Sequence, residues 1–299
     1  MCGIAGIVNK NGMEMSSKLL EMLALIQHRG PDASGIAVYG INSGITLRVA
    51  VTKKDAYHTL KNLISKYGVT VLSEETSDMT KKVIFVEFEL KIDEKDIPKL
   101  HSIINLVDGL YVHSFGKNMK AYKDGGLIDN LINHQKIDKG IGTHGIGHVR
   151  MATESAEDIN AAHPFVSPFY PDLSIVHNGQ FTNYFNLRRK LENKGAQFKT
   201  LNDSEAASHL IAYGMMKNGG DLEAALKYAS EELDGLFCII AVTSKQMGFV
   251  KDKLGIKPLL LFENNDMVLL GSEQIEFTSI FPDVCAEEMD PGEVRVWNI

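Results

Sequence analysis

Cys2 is followed by a short apolar run, Met1-Cys2-Gly3-Ile4-Ala5-Gly6-Ile7. Removal of Met1 leaves a thiol and a free α-amine on one residue. An α-amino group titrates near about 7.7–8, so around neutrality it can take the proton of its own side chain through a water, and the nucleophile carries its own base. Gly3 admits close neighbours, and the apolar residues behind it read as a strand that anchors the terminus in a core. The same residues also fit an ordinary small side chain behind a start codon.

Other groups could complete such a site. In His148-Val149-Arg150-Met151-Ala152-Thr153 a permanent guanidinium sits in an apolar, strand-like run, where it needs an anion, either a substrate carboxylate held bidentately or a structural partner. The strand-like Leu173-Ser174-Ile175-Val176-His177 leads into Asn178-Gly179. A side-chain amide and the next backbone N–H can together hold an oxyanion, and Asn-Gly is also the favoured pair of a two-residue hairpin turn. In Leu201-Asn202-Asp203-Ser204-Glu205, Asp203 or Ser204 reads as a helix cap, and the Asp203 carboxylate could equally receive an ammonium group. Arg29-Gly30-Pro31-Asp32 reads as a helix terminator and turn. Two patterns are rejected. Gly140-Ile141-Gly142-Thr143-His144-Gly145 has dinucleotide-loop spacing, but a strand rather than a helix follows it. His144 and His148 lie about 13 Å apart if extended at about 3.3 Å per residue, so no metal site is expected.

The 299 residues carry 38 acidic and 31 basic side chains, a formal charge of −7, with no dense basic run. That argues against nucleic acid or an anionic membrane as partner and favours a small-molecule substrate. Cys2, Cys238 and Cys285 show neither paired spacing nor a zinc pattern, which suits a reducing cytoplasm. No signal-like or membrane-spanning apolar segment stands out, so residue 2 is expected to be the mature terminus.

These residues must be positioned by a strand-rich α+β framework. Helices are expected from about Ser16 to Gln27, with serine caps, and near 183–192, 204–217 and 221–233. Between about Gly44 and Ser114 the pattern is β-α-β-β-α-β, the split ferredoxin-like unit, read as an insertion over residues 52–139 in a domain spanning 1–299.

Taken in order, the chain resembles the class II glutamine amidotransferase family, through Cys2-Gly3-Ile4, Arg29-Gly30-Pro31-Asp32, His148 to Thr153, Ala162-His163-Pro164-Phe165, His177-Asn178-Gly179, Asp203-Ser204-Glu205, Leu233-Asp234-Gly235, Asp252 to Leu259, Gly271-Ser272-Glu273 and Pro291-Gly292-Glu293. The resemblance implies the N-terminal-nucleophile hydrolase fold, a four-layer α-β-β-α sandwich. It also implies Cys2 as nucleophile, Asn178 and Gly179 as oxyanion donors, and Arg150, Thr153 and Asp203 as the clamp on L-glutamine, with Arg29 and Gly30 in support. The implied reaction passes through a γ-glutamyl thioester to glutamate and ammonia.

Most members of that family carry a second domain that uses the ammonia, and here the last family motif lies close to Ile299. The chain therefore looks like the amidotransferase subunit of a split glutamate synthase, or of N-methylglutamate synthase. Such systems place a flavin and an iron–sulfur cluster on a separate synthase subunit, beside a glycine-rich β-helix subunit, with no cofactor on this chain. A non-catalytic glutamine-binding regulatory subunit is the alternative. One departure stands out: Thr153 is followed by Glu154-Ser155 instead of the glycine that often comes after the arginine motif.

Overall fold

The computed structural model describes residues 1–40, 44–77, 82–152 and 159–299. In chain order the strands are β1 (Gly3–Glu14), β2 (Ala33–Tyr39), β3 (Ile45–Val51), β4 (Thr70–Thr76), β5 (Ile84–Lys91), β6 (Leu110–Gly116), β7 (Met119–Gly125) and β8 (Ile141–Arg150). They continue with β9 (Phe165–Val166), β10 (Ser174–Phe181), β11 (Gly235–Val242), β12 (Gln246–Lys251), β13 (Leu260–Glu263), β14 (Met267–Gly271), β15 (Glu287–Glu288) and β16 (Val294–Asn298). The helices are α1 (Met15–Leu25), α2 (Lys54–Lys66), α3 (Ile97–Asn105), α4 (Ile128–His134), α5 (Tyr184–Glu192), α6 (Asp203–Lys217) and α7 (Leu222–Glu232).

Two sheets form the body. The larger runs β15-β13-β14-β1-β8-β2-β7 and the smaller β16-β12-β11-β10-β9. Because strand side chains alternate between faces, each sheet contributes to two cores. On β1, Ile4 and Val8 pack with Val176, Ile240 and Phe249 between the sheets. Ala5 and Ile7 point the other way, onto Leu19, Met22 and Leu23 of α1. On the far side of the smaller sheet, Ile175, Ile239 and Ala241 meet Leu187 of α5, Leu210 and Ile211 of α6 and Leu226 of α7. The order of layers is helix, sheet, sheet, helix.

A third sheet, β4-β5-β3-β6, is antiparallel throughout and carries α2 and α3. It has its own core, with Leu47, Val49, Leu60, Phe88, Leu100 and Ile104. Its boundaries differ from the expected 52–139. β3 pairs with β5 and β6, so the unit begins at Ile45. β7 instead pairs along β2, Tyr39 opposite Met119, which returns the chain to the large sheet after Gly116. Backbone pairing decides this, whereas the expectation rested on a change in pattern. The serines of α1 also differ from expectation: Ser16 Oγ donates to the Asp138 carbonyl at 2.6 Å and Ser17 Oγ to Glu14 at 2.8 Å, so neither caps the helix. Among the described residues no helix is long and apolar enough to cross a membrane.

Candidate active site

Strand alternation puts Cys2 on the face that Ile4 and Val8 share, at the edge of the core between the two large sheets. The pairing of Gly3 with Val149 and Ile4 with His148 brings Arg150, the last residue of β8, beside Cys2. The thiol is half-buried, with Sγ 3.5 Å from the Met151 N–H and 3.7 Å from the Met151 carbonyl oxygen. The Cys2 carbonyl accepts from Arg29 Nε at 2.9 Å and from Asn178 Nδ2 at 3.2 Å. The Met1 amine lies 3.0 Å from Met151 Sδ.

Asn178 and Gly179 approach from the opposite sheet. They lie inside β10, paired with Cys238 and Phe237, and not in a hairpin turn. β9 pairs only with Ser174 and Ile175, which among the described residues leaves the edge of β10 beyond Ile175 without a neighbouring strand. Groups on that edge find side chains instead: the His177 carbonyl accepts from His148 Nε2 at 3.1 Å, and the Phe181 N–H donates to Asp203 Oδ2 at 3.0 Å. Alternate residues of an antiparallel strand turn their N–H groups to the same side, so the Gly179 N–H belongs to this edge too. Gly179 has φ +148°, and a Cβ there would stand 2.0 Å from the Leu236 carbonyl oxygen, so only glycine fits. The Asn178 amide has a second hydrogen beyond the one given to Cys2. Asn178 thus reaches across from the smaller sheet to the Cys2 backbone.

Arg150 is buried, and its carbonyl accepts from the Asp32 N–H at 2.9 Å. Gly30 permits that approach, since a Cβ on it would lie 2.5 Å from the Arg150 carbonyl carbon. Asp203 opens α6, but Asn202 is the cap, its side chain accepting from the Ser204 N–H at 2.9 Å. Relieved of capping, Asp203 keeps one oxygen on Phe181 and the other 3.8 Å from His177 Nδ1. Thr153 lies outside the described residues.

Arg29 is buried and spans from the Cys2 carbonyl to Glu273, with Nη1 2.6 Å from Oε1. Burial raises the Glu273 carboxyl, but the hydrogen bonds from Arg29 and His28 outweigh it and leave it below the usual range. Ser272 supports the start of β1 directly, Oγ accepting from the Ile4 N–H at 3.0 Å. Behind it Glu276 accepts from the Ser272 and Glu273 N–H groups at 2.6 and 2.9 Å, and burial pushes its carboxyl well up. Sequence reasoning gave Ser272, Glu273 and Glu276 no role, although Gly271-Ser272-Glu273 was among the matching motifs.

It also missed three buried histidines. His148 stacks on His163 with centroids 3.9 Å apart, and His163 lies 6.4 Å from His177. Burial lowers all three: His148 to about 3, His163 well below its ordinary value, and His177 in the same direction. His177 Nδ1 pairs with Ser204 Oγ at 2.8 Å. Their only sequence signal was to lie within three of the matching motifs, those of Arg150, of Ala162-His163-Pro164-Phe165 and of Asn178.

A profile of the glutamine amidotransferase domain matches residues 148–279. The chain is 34% identical to the "Putative glutamine amidotransferase" of Methanothermobacter thermautotrophicus over the whole of both chains. It is 31% identical to the "Glutamine amidotransferase-like protein GlxB" of Rhizobium meliloti, over 100% of this chain and 98% of that one. Among solved structures, the glutamine phosphoribosylpyrophosphate amidotransferase of Bacillus subtilis superposes with a TM-score of 0.64 at 22% identity. That match covers 99% of this chain and 47% of the other, and it supports the mixed α/β fold alone. The chain belongs to the class II glutamine amidotransferase family.

Proposed function

We propose that the chain hydrolyses the side-chain amide of L-glutamine through a thioester on Cys2 and passes the ammonia to a separate glutamate-synthase-type subunit. The observation that carries the reading is the opposition of Cys2 and Arg150 on one sheet to Asn178 and Gly179 on the other. Once Met1 is removed, the Cys2 amine takes the thiol proton and Sγ bonds to the γ-carboxamide carbon. The negative charge that collects on the amide oxygen is held by Asn178 Nδ2 and the Gly179 N–H. The amine returns its proton to the nitrogen, the C–N bond breaks, and ammonia leaves. Water then attacks the thioester, releasing glutamate and restoring the thiol. Arg150, Thr153 and Asp203 together clamp the α-carboxylate and α-ammonium groups.

In this reading the four-stranded unit is a ferredoxin-like insertion that docks the synthase. The flavin and iron–sulfur cluster, like the glycine-rich β-helix, belong to partner chains, and either 2-oxoglutarate or methylamine chemistry can lie downstream.

The test is the intact mass before and after incubation with 6-diazo-5-oxo-norleucine, a glutamine analogue that alkylates an activated thiol. The expected result is a protein lacking Met1 that gains one adduct, absent in Cys2→Ala. Retention of Met1 would sink the mechanism.

A further inference from the structure

His148 sits on β8 two residues before Arg150 and opposite Ile4 of β1, so it shares the large sheet with Cys2. Its Nε2 reaches across the sheet–sheet interface to the carbonyl of His177, 3.1 Å away on the smaller sheet. That carbonyl belongs to the peptide that leads into Asn178, on the stretch of β10 that β9 leaves unpaired. We propose that His148 is a positioning residue for the oxyanion donors, its Nε2–H fixing the His177–Asn178 peptide relative to the strand that bears Cys2. The proposal rests on the glutaminase reading.

Geometry and chemistry agree on the state this requires. A carbonyl only accepts, so Nε2 must carry the hydrogen. His148 is fully buried, and among the described residues its Nδ1 has no hydrogen-bond partner, which disfavours a second proton there. The ring is held in place by His163, stacked at 3.9 Å and 23°. Elsewhere in β10 the backbone is fixed by ladder pairing to β11 on one side. On the open side, between Ile175 and Phe181, the His148 bond takes the place of a missing strand. Without it the His177 carbonyl is buried and unpaired, and the peptide can rotate to seek another donor. The Asn178 amide and the Gly179 N–H would turn with it.

The test compares inactivation by 6-diazo-5-oxo-norleucine in wild type, His148→Met and His148→Gln, because its ketone oxygen stands where the amide oxygen of glutamine would. His148→Met should lower the maximal inactivation rate about tenfold, less than loss of a donor outright, while the half-saturating concentration stays within about twofold, as the glutamine clamp is untouched. His148→Gln should recover most of the rate, since its amide nitrogen can donate to the same carbonyl. Equal rates for wild type and His148→Met, or a folded His148→Gln no faster than His148→Met, would overturn the proposal. Should His148→Met fail to fold, the imidazole nitrogen spectrum of the wild-type protein decides: a neutral Nε2–H tautomer unchanged from pH 5.5 to 8 supports the proposal, and an Nδ1–H tautomer or a titrating ring refutes it. Wild-type protein that takes no adduct brings down the glutaminase reading and this proposal with it, whereas labelling that is indifferent to His148 brings down the proposal alone.

Discussion

Lowering the pH should unfold this domain at about pH 5, above the range in which ordinary exposed carboxylates protonate. Seven of the ten histidines, His101, His113, His144, His148, His163, His177 and His209, are buried. Burial lowers every one: His101 and His148 to about 3, His144 and His209 to about 4, His113 and His163 well below their ordinary value, and His177 in the same direction. In the unfolded chain each titrates near about 6.5, so below that pH the unfolded state binds protons that the folded state refuses, and stability falls as pH falls. For the four rings held at about 3 or about 4, the loss between pH 7 and pH 5 is about 2 kcal/mol each. Three buried carboxyls, Asp172, Glu205 and Glu276, are raised by burial and work the other way, the folded state gaining as they protonate. The four rings alone remove roughly 8 kcal/mol between pH 7 and pH 5, with His113, His163 and His177 adding to that loss and the three carboxyls offsetting part of it. That matches the whole stability of an ordinary domain, about 5–15 kcal/mol. Urea titrations followed by far-ultraviolet circular dichroism at half-unit steps should show the midpoint collapsing towards zero near pH 5. A midpoint that is flat, or that rises on acidification over this range, would refute the claim that these rings are neutral in the folded protein.

Two substitutions probe the site itself. Asn178→Ala removes one of the two proposed oxyanion donors, and glutamine turnover should fall about a hundred- to a thousandfold with the urea midpoint changed only slightly, as measured by glutamate release. Gly30→Ala would drive a Cβ to 2.5 Å from the Arg150 backbone, so stability should drop by about 1–3 kcal/mol in urea titrations, and adduct formation on Cys2 should slow because the strand end carrying Arg150 must shift.

Much of this was legible from the residues because local pattern and final structure agree. The apolar alternation of Ile4 to Val8 became β1, and the helix read over 204–217 was observed as Asp203–Lys217. What could not be read was whatever depends on a neighbour distant in the chain. Asn178-Gly179 has the chemistry of a hairpin turn, yet β11 pairs straight through it, and only the early end of β9 exposes its edge. Asn202 and Asp203 are both capping types; their tertiary partners separate them, Asp203 being taken by Phe181. Arg29 reads locally as part of a helix terminator, whereas in space it ties the Cys2 carbonyl to Glu273. The buried histidines gave no warning because a histidine on an apolar strand face looks the same whether it is packed or bonded.

The position of the four-stranded unit has a consequence for how the chain folds. β2 and β7 are partners in the large sheet although Tyr39 and the Met119 opposite it are separated by about 80 positions, a closure that disfavours early pairing. The unit between them has its own core, and it brings Thr46 and Gly116 side by side. Once it has formed, the effective loop shrinks to roughly ten residues, lowering the closure entropy by about 2 kcal/mol. The insertion then acts as a preassembled turn. The strand pair that flanks the Arg150 strand is best formed after the insertion, so a mutation deep in the core around Phe88 should slow acquisition of a site that it never touches.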